Sequence, residues 1–266
     1  MNFRKIIVVT GITGALVLTS ACSAPVASSP TSTTIPSASA SPASASSDTL
    51  PVLAKFLNLP TGIIVKRVAN DGTGDYLQTS ISDDDPAMKY DPAITDDEAK
   101  AHYSDAELAE AQKVIVKFIA EEAIDSTLNG GNSNFDGWFA KHKNEILPAS
   151  QDAMLNDMKA GKEVLATENW MTAKEDYSYV HGDNTPRVTA RTITPTKFRY
   201  VKTGAMQGVM LDTKVAYSMA VTKGAFPLRS TQNSTGDLSF AVAQDSADGG
   251  KWKISGYTVT YSTNEG

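Results

Sequence analysis

The chain has 266 residues, of which 24 are basic and 30 acidic, and its formal net charge is −6. Nucleic-acid binding depends on neutralising phosphates, so this acidic balance argues against a nucleic-acid partner. The single cysteine, Cys22, excludes an internal disulfide, and packing alone must therefore stabilise the fold.

The N-terminus has the three zones of a secretory signal peptide. Arg4 and Lys5 form a basic start, residues 6–18 (IIVVTGITGALVL) are apolar, and small residues then lead to Cys22. The apolar run is shorter than the roughly 20 residues that a membrane-spanning helix needs. We therefore predict that residues 1–21 direct export and are cleaved off. Their removal takes away both basic residues and leaves 22 basic and 30 acidic residues, a net charge of −8.

The stretch that ends in Cys22, LTSAC, resembles the lipobox of bacterial lipoproteins. The resemblance implies that a peptidase cleaves between Ala21 and Cys22 and that the thiol carries acyl chains such as palmitate. Two or three acyl chains on one residue hold a protein firmly on a membrane, whereas one chain binds only marginally. Lipidation would therefore anchor the protein on the extracytoplasmic face of the cell membrane. The alternative is ordinary cleavage after Ala21, which would leave an exposed free thiol that is prone to oxidation.

Residues 23–47 consist almost entirely of Ser, Ala, Pro and Thr, with no charged or aromatic side chain. Such a segment cannot bury enough apolar surface to offset its chain entropy, so we predict that it is disordered. Residues 22–50 would then be a lipidated cysteine followed by a tether that reaches roughly 30 to 80 Å.

Residues 51–92 are predicted to form an N-terminal extension. Residues 62–68 and 76–81 are strand candidates, and the segment between them, residues 70–74 (NDGTG), is typical of a turn. An acidic loop, residues 83–86, follows the second strand.

Helical patterns begin after this extension. Thr95 with Glu98 and Ser104 with Glu107 have the spacing of capping boxes. After Ser104 apolar residues recur at helical spacing, which predicts a helix with its core face at Leu108, Ala111, Ile115, Phe118, Ile119 and Ala123. Two shorter helices are expected, one around residues 138–146 and one between Ser150 and Gly161.

The C-terminal half changes to a period of two, which is typical of strands. This pattern covers residues 187–191 and 197–200, the odd positions of residues 209–221, and residues 238–242. In the last strand Trp252 and Ile254 share a face, but Tyr257 and the following apolar residues are offset by one. We therefore predict a β-bulge at residues 255–256, which would return the apolar residues to the core side.

Helices followed by long antiparallel strands predict an α+β fold in residues 93–266, with N-terminal helices packed on one face of a curved sheet. From this element order and the final strand motif (DGGKWKI, residues 248–254), residues 104–262 resemble the NTF2-like, or cystatin-like cone, superfamily. The resemblance implies a cone-shaped cavity between sheet and helices. Its members include enzymes and non-catalytic binding modules, so the fold alone does not choose the function.

Charge is unevenly distributed along the chain. Residues 71–122 contain 14 acidic and 4 basic side chains, whereas residues 187–266 contain 10 basic and 5 acidic ones. The simplest interpretation is that an acidic half and a basic half lie next to each other, with their charged side chains exposed to solvent. The alternative is that the basic half presents a face to an anionic envelope component.

No pattern in the chain predicts a metal, a cofactor or a catalytic residue. His102, His142 and His181 are 40 and 39 residues apart, with no short-spaced pair. Residues 132–137 (NSNFDG) look like the start of a calcium loop, but Lys143 stands where a bidentate Glu is required, so a helix-capping turn is expected. Nucleophile-elbow and phosphate-loop motifs are also missing from the sequence.

These patterns favour a lipid-anchored, non-catalytic binding or assembly module whose partner is an envelope protein, a cell-wall component or a small ligand. A cone filled by Trp138, Trp170 and Tyr217 would support this hypothesis. The alternative is a cone-cavity enzyme acting on a small apolar molecule, with its candidate side chains at Asp176, Tyr179, His181, Tyr200 and Tyr217. A third hypothesis, a solute-capturing lipoprotein of a transporter, fits poorly because the chain is short for a two-lobed design.

Overall fold

In a computed structural model, the protein is described over residues 59–129, 133–161, 165–166, 177–223 and 228–265. The predicted signal peptide, Cys22 and the tether lie outside these residues. Within them the chain is α+β, with a strongly curled antiparallel half-barrel sheet and few helices. Among the helices of these ranges, none combines the length and the apolar character needed to cross a membrane.

Eight strands and four α-helices are described in these ranges. The strands are β1 (Ile63–Asn70), β2 (Asp75–Ile81), β3 (Tyr177–Tyr179), β4 (Gly182–Pro186), β5 (Val188–Thr203), β6 (Met206–Lys223), β7 (Leu228–Asp245) and β8 (Lys251–Glu265). The helices are α1 (Asp97–His102), α2 (Asp105–Phe118), α3 (Phe135–His142) and α4 (Gln151–Lys159).

The long strands β5 to β8 form the half-barrel. Strand β6 pairs with β7 on one side, and on the other side with β5 and, near its end, with β3, while β8 pairs with β7. All these pairings are antiparallel. Ala241 pairs with Gly256 but Val242 pairs with Ile254, so Ser255 is the extra residue of a β-bulge. The bulge predicted at this position is confirmed.

The β1–β2 hairpin belongs to a second, three-stranded sheet. Its two strands pair antiparallel, and β2 pairs in parallel with β4, which directly precedes the long strands. Both predicted strands are therefore present. The helices follow this hairpin in the chain, as predicted, but the hairpin pairs with β4, so the helices are not clearly N-terminal in the fold. The hairpin is held by a partner strand more than 100 residues away, a pairing that local periodicity cannot reveal.

Helix α2 begins with the predicted capping box. The Ser104 hydroxyl accepts from the Glu107 backbone, and the Glu107 carboxylate accepts from the Ser104 backbone N–H at 2.8 Å. The predicted box at Thr95 was wrong, because Asp96 is the N-cap of α1 and accepts from the Ala99 backbone N–H at 2.7 Å. Helix α2 continues directly into a π-helical turn, Ile119–Ile124.

The core lies between α2 and the inner face of the sheet. All six apolar positions predicted for this helix are buried, and the Phe118 ring packs 5.8 Å from the Phe240 ring of β7. Complete burial of each large apolar side chain stabilises the fold by about 1.5 to 3 kcal/mol. This packing fixes which face of the sheet is turned away from the helices.

Candidate functional site

The candidate site lies on the outward face of the sheet, which we define as the face turned away from the helices. Side chains alternate between the two faces along each strand. In β6 the odd positions are buried as predicted, at Val209, Leu211, Thr213, Val215, Tyr217, Met219 and Val221. The even positions of β6, and the residues paired with them on β5 and β7, therefore make up the outward face.

A groove of about 580 Å³ crosses the outward face from β5 to β8. Two rows of side chains line it, and each row follows the strand pairing across four strands. The Lys214 row consists of Thr194, Lys214, Asp237 and Thr260. The Ala216 row consists of Thr192, Ala216, Thr235 and Ser262. Five of these eight side chains carry a hydroxyl group, one is a cation and one is an anion.

The polar side chains of the two rows have no partners within the described part of the protein. None of the five hydroxyl groups makes a side-chain hydrogen bond, and neither Lys214 nor Asp237 makes an ion pair. Seven polar side chains therefore face the groove with their hydrogen-bonding capacity unused. Such a surface can bind a ligand without first breaking contacts within the protein.

The rows on either side of the groove differ, because their side chains bond to each other. On one side Ser218 donates to Asn233 at 2.6 Å, and these two residues are direct cross-strand partners. On the other side Ser239 donates to Asp212 at 2.6 Å. In the adjoining rows the side chains of β6 and β7 are thus bonded to each other, whereas those of the groove are not. Thr258, at the β8 end of the Ser239 row, also has no side-chain partner among the described residues.

Comparison with known proteins gave no match. No protein-family model, curated protein or solved structure matches the chain. The site must therefore be interpreted from its own chemistry.

The described side chains considered for a cone-cavity enzyme are each buried or in contact with other side chains. Burial raises the pKa of Tyr179 to about 12 and raises that of Tyr217 well above its ordinary value, so both phenols stay protonated. His181 binds Asp71, and Tyr200 stacks on His102 with ring centres 4.2 Å apart. Asp176 lies outside the described residues.

The resemblance implies a cavity between the sheet and the helices. In the structure this space contains large buried side chains. Trp138 is 2% exposed and packs against Phe118, and Tyr217 is 3% exposed. Trp170, the third residue expected to fill this space, lies outside the described residues.

A buried ionic network, which the sequence reasoning missed, connects the hairpin to the rest of the fold. Arg187 is fully buried and donates to Asp71 at 2.8 Å, and its Nε lies 3.7 Å from Asp125 Oδ1. Its guanidinium carbon also lies 3.2 Å from the centre of the Tyr76 ring. Arg187 thus bridges the β1–β2 turn and the residue that ends the π-helical turn.

The two carboxylates of this network have opposite pKa shifts. Burial alone would raise the pKa of Asp71, but hydrogen bonds from Thr73 and His181 and the Arg187 charge together lower it below its ordinary value. Burial raises the pKa of Asp125 to about 6, because the Arg187 charge and the hydrogen bonds from Thr79 only partly compensate for desolvation.

A second buried carboxylate, Glu122, lies in the π-helical turn. It accepts from the Trp138 indole N–H at 2.9 Å and lies 3.4 Å from His142 Nε2. Burial raises the pKa of Glu122, although His142 and Lys66 act against this shift. These contacts tie α3 to the end of α2, so they have a structural role.

The histidines and the calcium-like loop take structural roles in the described residues. No group of three or more His, Cys, Asp or Glu side chains suited to a metal ion is found there. Asn134 begins α3 and accepts from the Gly137 backbone N–H at 3.0 Å, so the predicted helix-capping turn is confirmed.

A local signal for the groove is present in the sequence. Thr192 and Thr194 alternate along β5, and Thr258, Thr260 and Ser262 alternate along β8. This alternation places hydroxyl groups on one face of each strand. Only the strand register shows that most of these hydroxyl groups belong to two rows that cross all four strands.

Proposed function

We propose that the protein is a membrane-anchored, extracytoplasmic binding module that captures an envelope component in the groove of its outward face. The observation that carries this proposal is a groove whose polar side chains are unpartnered in the described residues, while the β6 and β7 side chains of the adjoining rows are bonded to each other. A binding site needs such polar groups held in place and free to meet a ligand.

The anchoring part of the proposal is supported by the order of segments at the N-terminus. A basic start, a short apolar run, small residues and Cys22 are followed by an uncharged spacer. Cleavage between Ala21 and Cys22 and diacylation of the thiol would place the module outside the cytoplasmic membrane. The spacer would let the groove reach envelope components at some distance from the lipid surface.

We further propose that the domain is a distant relative of the NTF2-like cone superfamily. The order of helices and long antiparallel strands, the strong curl of the sheet and the bulged last strand support this relationship. The outward groove would then be a binding site on the opposite side of the sheet from the cone interior of that superfamily.

Membrane anchoring is tested by Cys22→Ala. We expect the variant to be released into the medium, and the wild-type protein to stay in the membrane fraction with a diacylated N-terminal cysteine by intact mass. Unchanged membrane partitioning of the variant would contradict the anchor.

Capture by the groove is tested in intact cells with a photoreactive amino acid at position 216. Ala216 lies in the groove, and Ala190 is an exposed alanine of the adjoining Ser218 row, so the same replacement at position 190 is the matched control. We expect envelope adducts from position 216 and few from position 190. Equal crosslinking from both positions would contradict a groove-specific function.

A further inference from the structure

We propose that the groove binds a neutral, hydroxyl-rich polysaccharide chain that lies across the four strands. This inference rests on the proposed function, because it names the class of ligand for the same groove. It is carried by the composition of the two rows, their spacing and the rigidity of their side chains.

The composition of the rows matches a ligand with many hydroxyl groups. Each Thr or Ser hydroxyl can donate one hydrogen bond and accept others, so it can pair with a sugar hydroxyl or an acetamido group in either sense. Lys214 and Asp237 add one cation and one anion, and the lining therefore has no net charge. An anionic polymer would meet as much repulsion as attraction from these charges, because they occupy adjacent positions of the same row.

The described lining of the groove offers no large apolar side chain that points outward. Ala216 is the only residue of the two rows with an apolar side chain. Val215 and Tyr261 also line the groove, but Val215 is buried towards the core and the Tyr261 hydroxyl donates inwards to the Ala123 carbonyl. The apolar contacts of the groove therefore come mainly from Ala216 and the threonine methyl groups, and polar groups lie beside them along its length.

The spacing of the rows suits a linear chain of repeated polar units. Neighbouring strands lie about 4.8 Å apart, so each row offers four side chains over about 14 Å. The rows are two residues apart along each strand, which separates them by about 6.8 Å. A polymer lying across the strands would thus meet polar groups on both of its sides at β5, β7 and β8, and on one side at β6.

An extended peptide is a poorer fit to this face. Peptides that add to a sheet pair with free backbone groups at a strand edge. The strands β6 and β7 under the centre of the groove are already paired on both sides. Recognition must therefore come from side chains alone.

The threonines of the groove are also rigid. A β-branched side chain has few accessible χ1 rotamers in a strand, so its hydroxyl group has a nearly fixed position. Binding then loses less side-chain entropy than it would with long, flexible polar residues. An array of threonines can therefore recognise a weakly interacting neutral ligand.

The inference is tested by calorimetric titration of the full-length protein in detergent micelles. The neutral probes are chitohexaose and cellohexaose, and the anionic comparison is a sulfated hexasaccharide. We expect a neutral probe to bind and the sulfated probe to bind more weakly. The double variant Thr194→Val, Thr260→Val keeps the β-branched shape and removes two hydroxyl groups, and we expect about tenfold weaker binding or more.

The matched control is Thr258→Val. Thr258 is exposed and lies on the same strand and the same face as Thr260, but in the adjoining Ser239 row, outside the groove lining. We expect its affinity to stay within about twofold of the wild type, since Thr258 does not line the groove.

Three results would overturn the polysaccharide proposal: no binding of either neutral probe, preferential binding of the sulfated probe, or equal weakening by the double variant and by the control. Each can be told apart from failure of the binding module itself. Groove-specific crosslinks from position 216 to an envelope protein, together with no oligosaccharide binding, would overturn the polysaccharide and leave the module standing. Equal crosslinking from positions 216 and 190 would overturn both.

Discussion

Two polar regions of this protein contrast in how their charges are used. In the network beneath the hairpin, Arg187 is buried against Asp71 and Asp125, and each charge has a protein partner. In the groove, Lys214 and Asp237 are exposed cross-strand neighbours without an ion pair among the described residues. The polar groups of the first region contact each other, whereas those of the second remain available to a ligand.

The difference follows from the cost of burial. A charge removed from water must be paired and hydrogen-bonded, or the folded state loses several kcal/mol, on the order of the stability of a whole domain. Exposed groups remain hydrated and carry no such requirement. The network therefore specifies how the hairpin docks on the rest of the fold, whereas the groove is free to serve a ligand.

The largest expected effect comes from removing the cation at the centre of the network. Arg187→Ala leaves Asp71 and Asp125 close together without their shared partner, and we expect the free energy of unfolding to fall by about 3 to 5 kcal/mol. Lys214→Ala removes a cation from the groove, and we expect a change within about 0.5 kcal/mol. Denaturant unfolding at pH 7 measures both.

An Arg187→Ala protein as stable as Lys214→Ala would mean that the network does not hold the hairpin. A second measurement distinguishes a local loss of stability in the hairpin from a loss of stability of the whole fold. Hydrogen exchange in β1 and β2 should rise more than exchange in β6 and β7, since the network joins the hairpin to the remaining fold.

A smaller effect is expected from the titration of Asp125. Its pKa is about 6 in the folded protein and near its ordinary value of 3.8 when unfolded, so between these values the folded state binds the extra proton. The contribution of Asp125 to stability is therefore lost as pH rises from about 4 to about 6. We expect Asp125→Asn, which cannot ionise, to gain about 1 to 3 kcal/mol relative to the wild type over this range.

The control for this prediction is the difference between the two proteins measured at each pH. Other carboxylates with raised pKa values, such as Glu122, titrate in both proteins and cancel in that difference. Parallel stability curves between pH 4 and pH 7 would contradict the raised pKa of Asp125.

The sequence predicted those elements whose signals are local. The core face of α2, the odd positions of β6 and the bulge at Ser255 each follow from spacing within one segment, and the structure places all three as expected. The α+β class followed from the order of these segments. The pairing of the hairpin with β4 did not, because it joins residues about 100 positions apart.

The two polar regions could not be predicted from local sequence patterns either, because each depends on residues that are far apart in the chain. Asp71 and Arg187 are separated by 116 residues, and only the folded topology brings them together. The hydroxyl alternation in β5 and β8 was visible, but these strands join in one groove only through the register of β6 and β7.

The smallest expected effect is the most informative for comparing the groove with the buried network, because it tests whether the groove side chains contribute to folding. The double variant Thr194→Val, Thr260→Val removes two hydroxyl groups that have no partner in the described structure, and valine favours strands at least as well as threonine. We therefore expect its unfolding free energy to stay within about 0.5 kcal/mol of the wild type. Ser239→Ala in the adjoining row removes the donor to Asp212 and should lower the free energy of unfolding by about 0.5 to 1.5 kcal/mol.

If denaturant unfolding instead showed the double variant to be the more destabilising change, the groove hydroxyl groups would be structural. Neutral stability combined with weakened ligand binding would assign them to recognition, since a group that does not stabilise the fold can reveal its role only when a ligand is present.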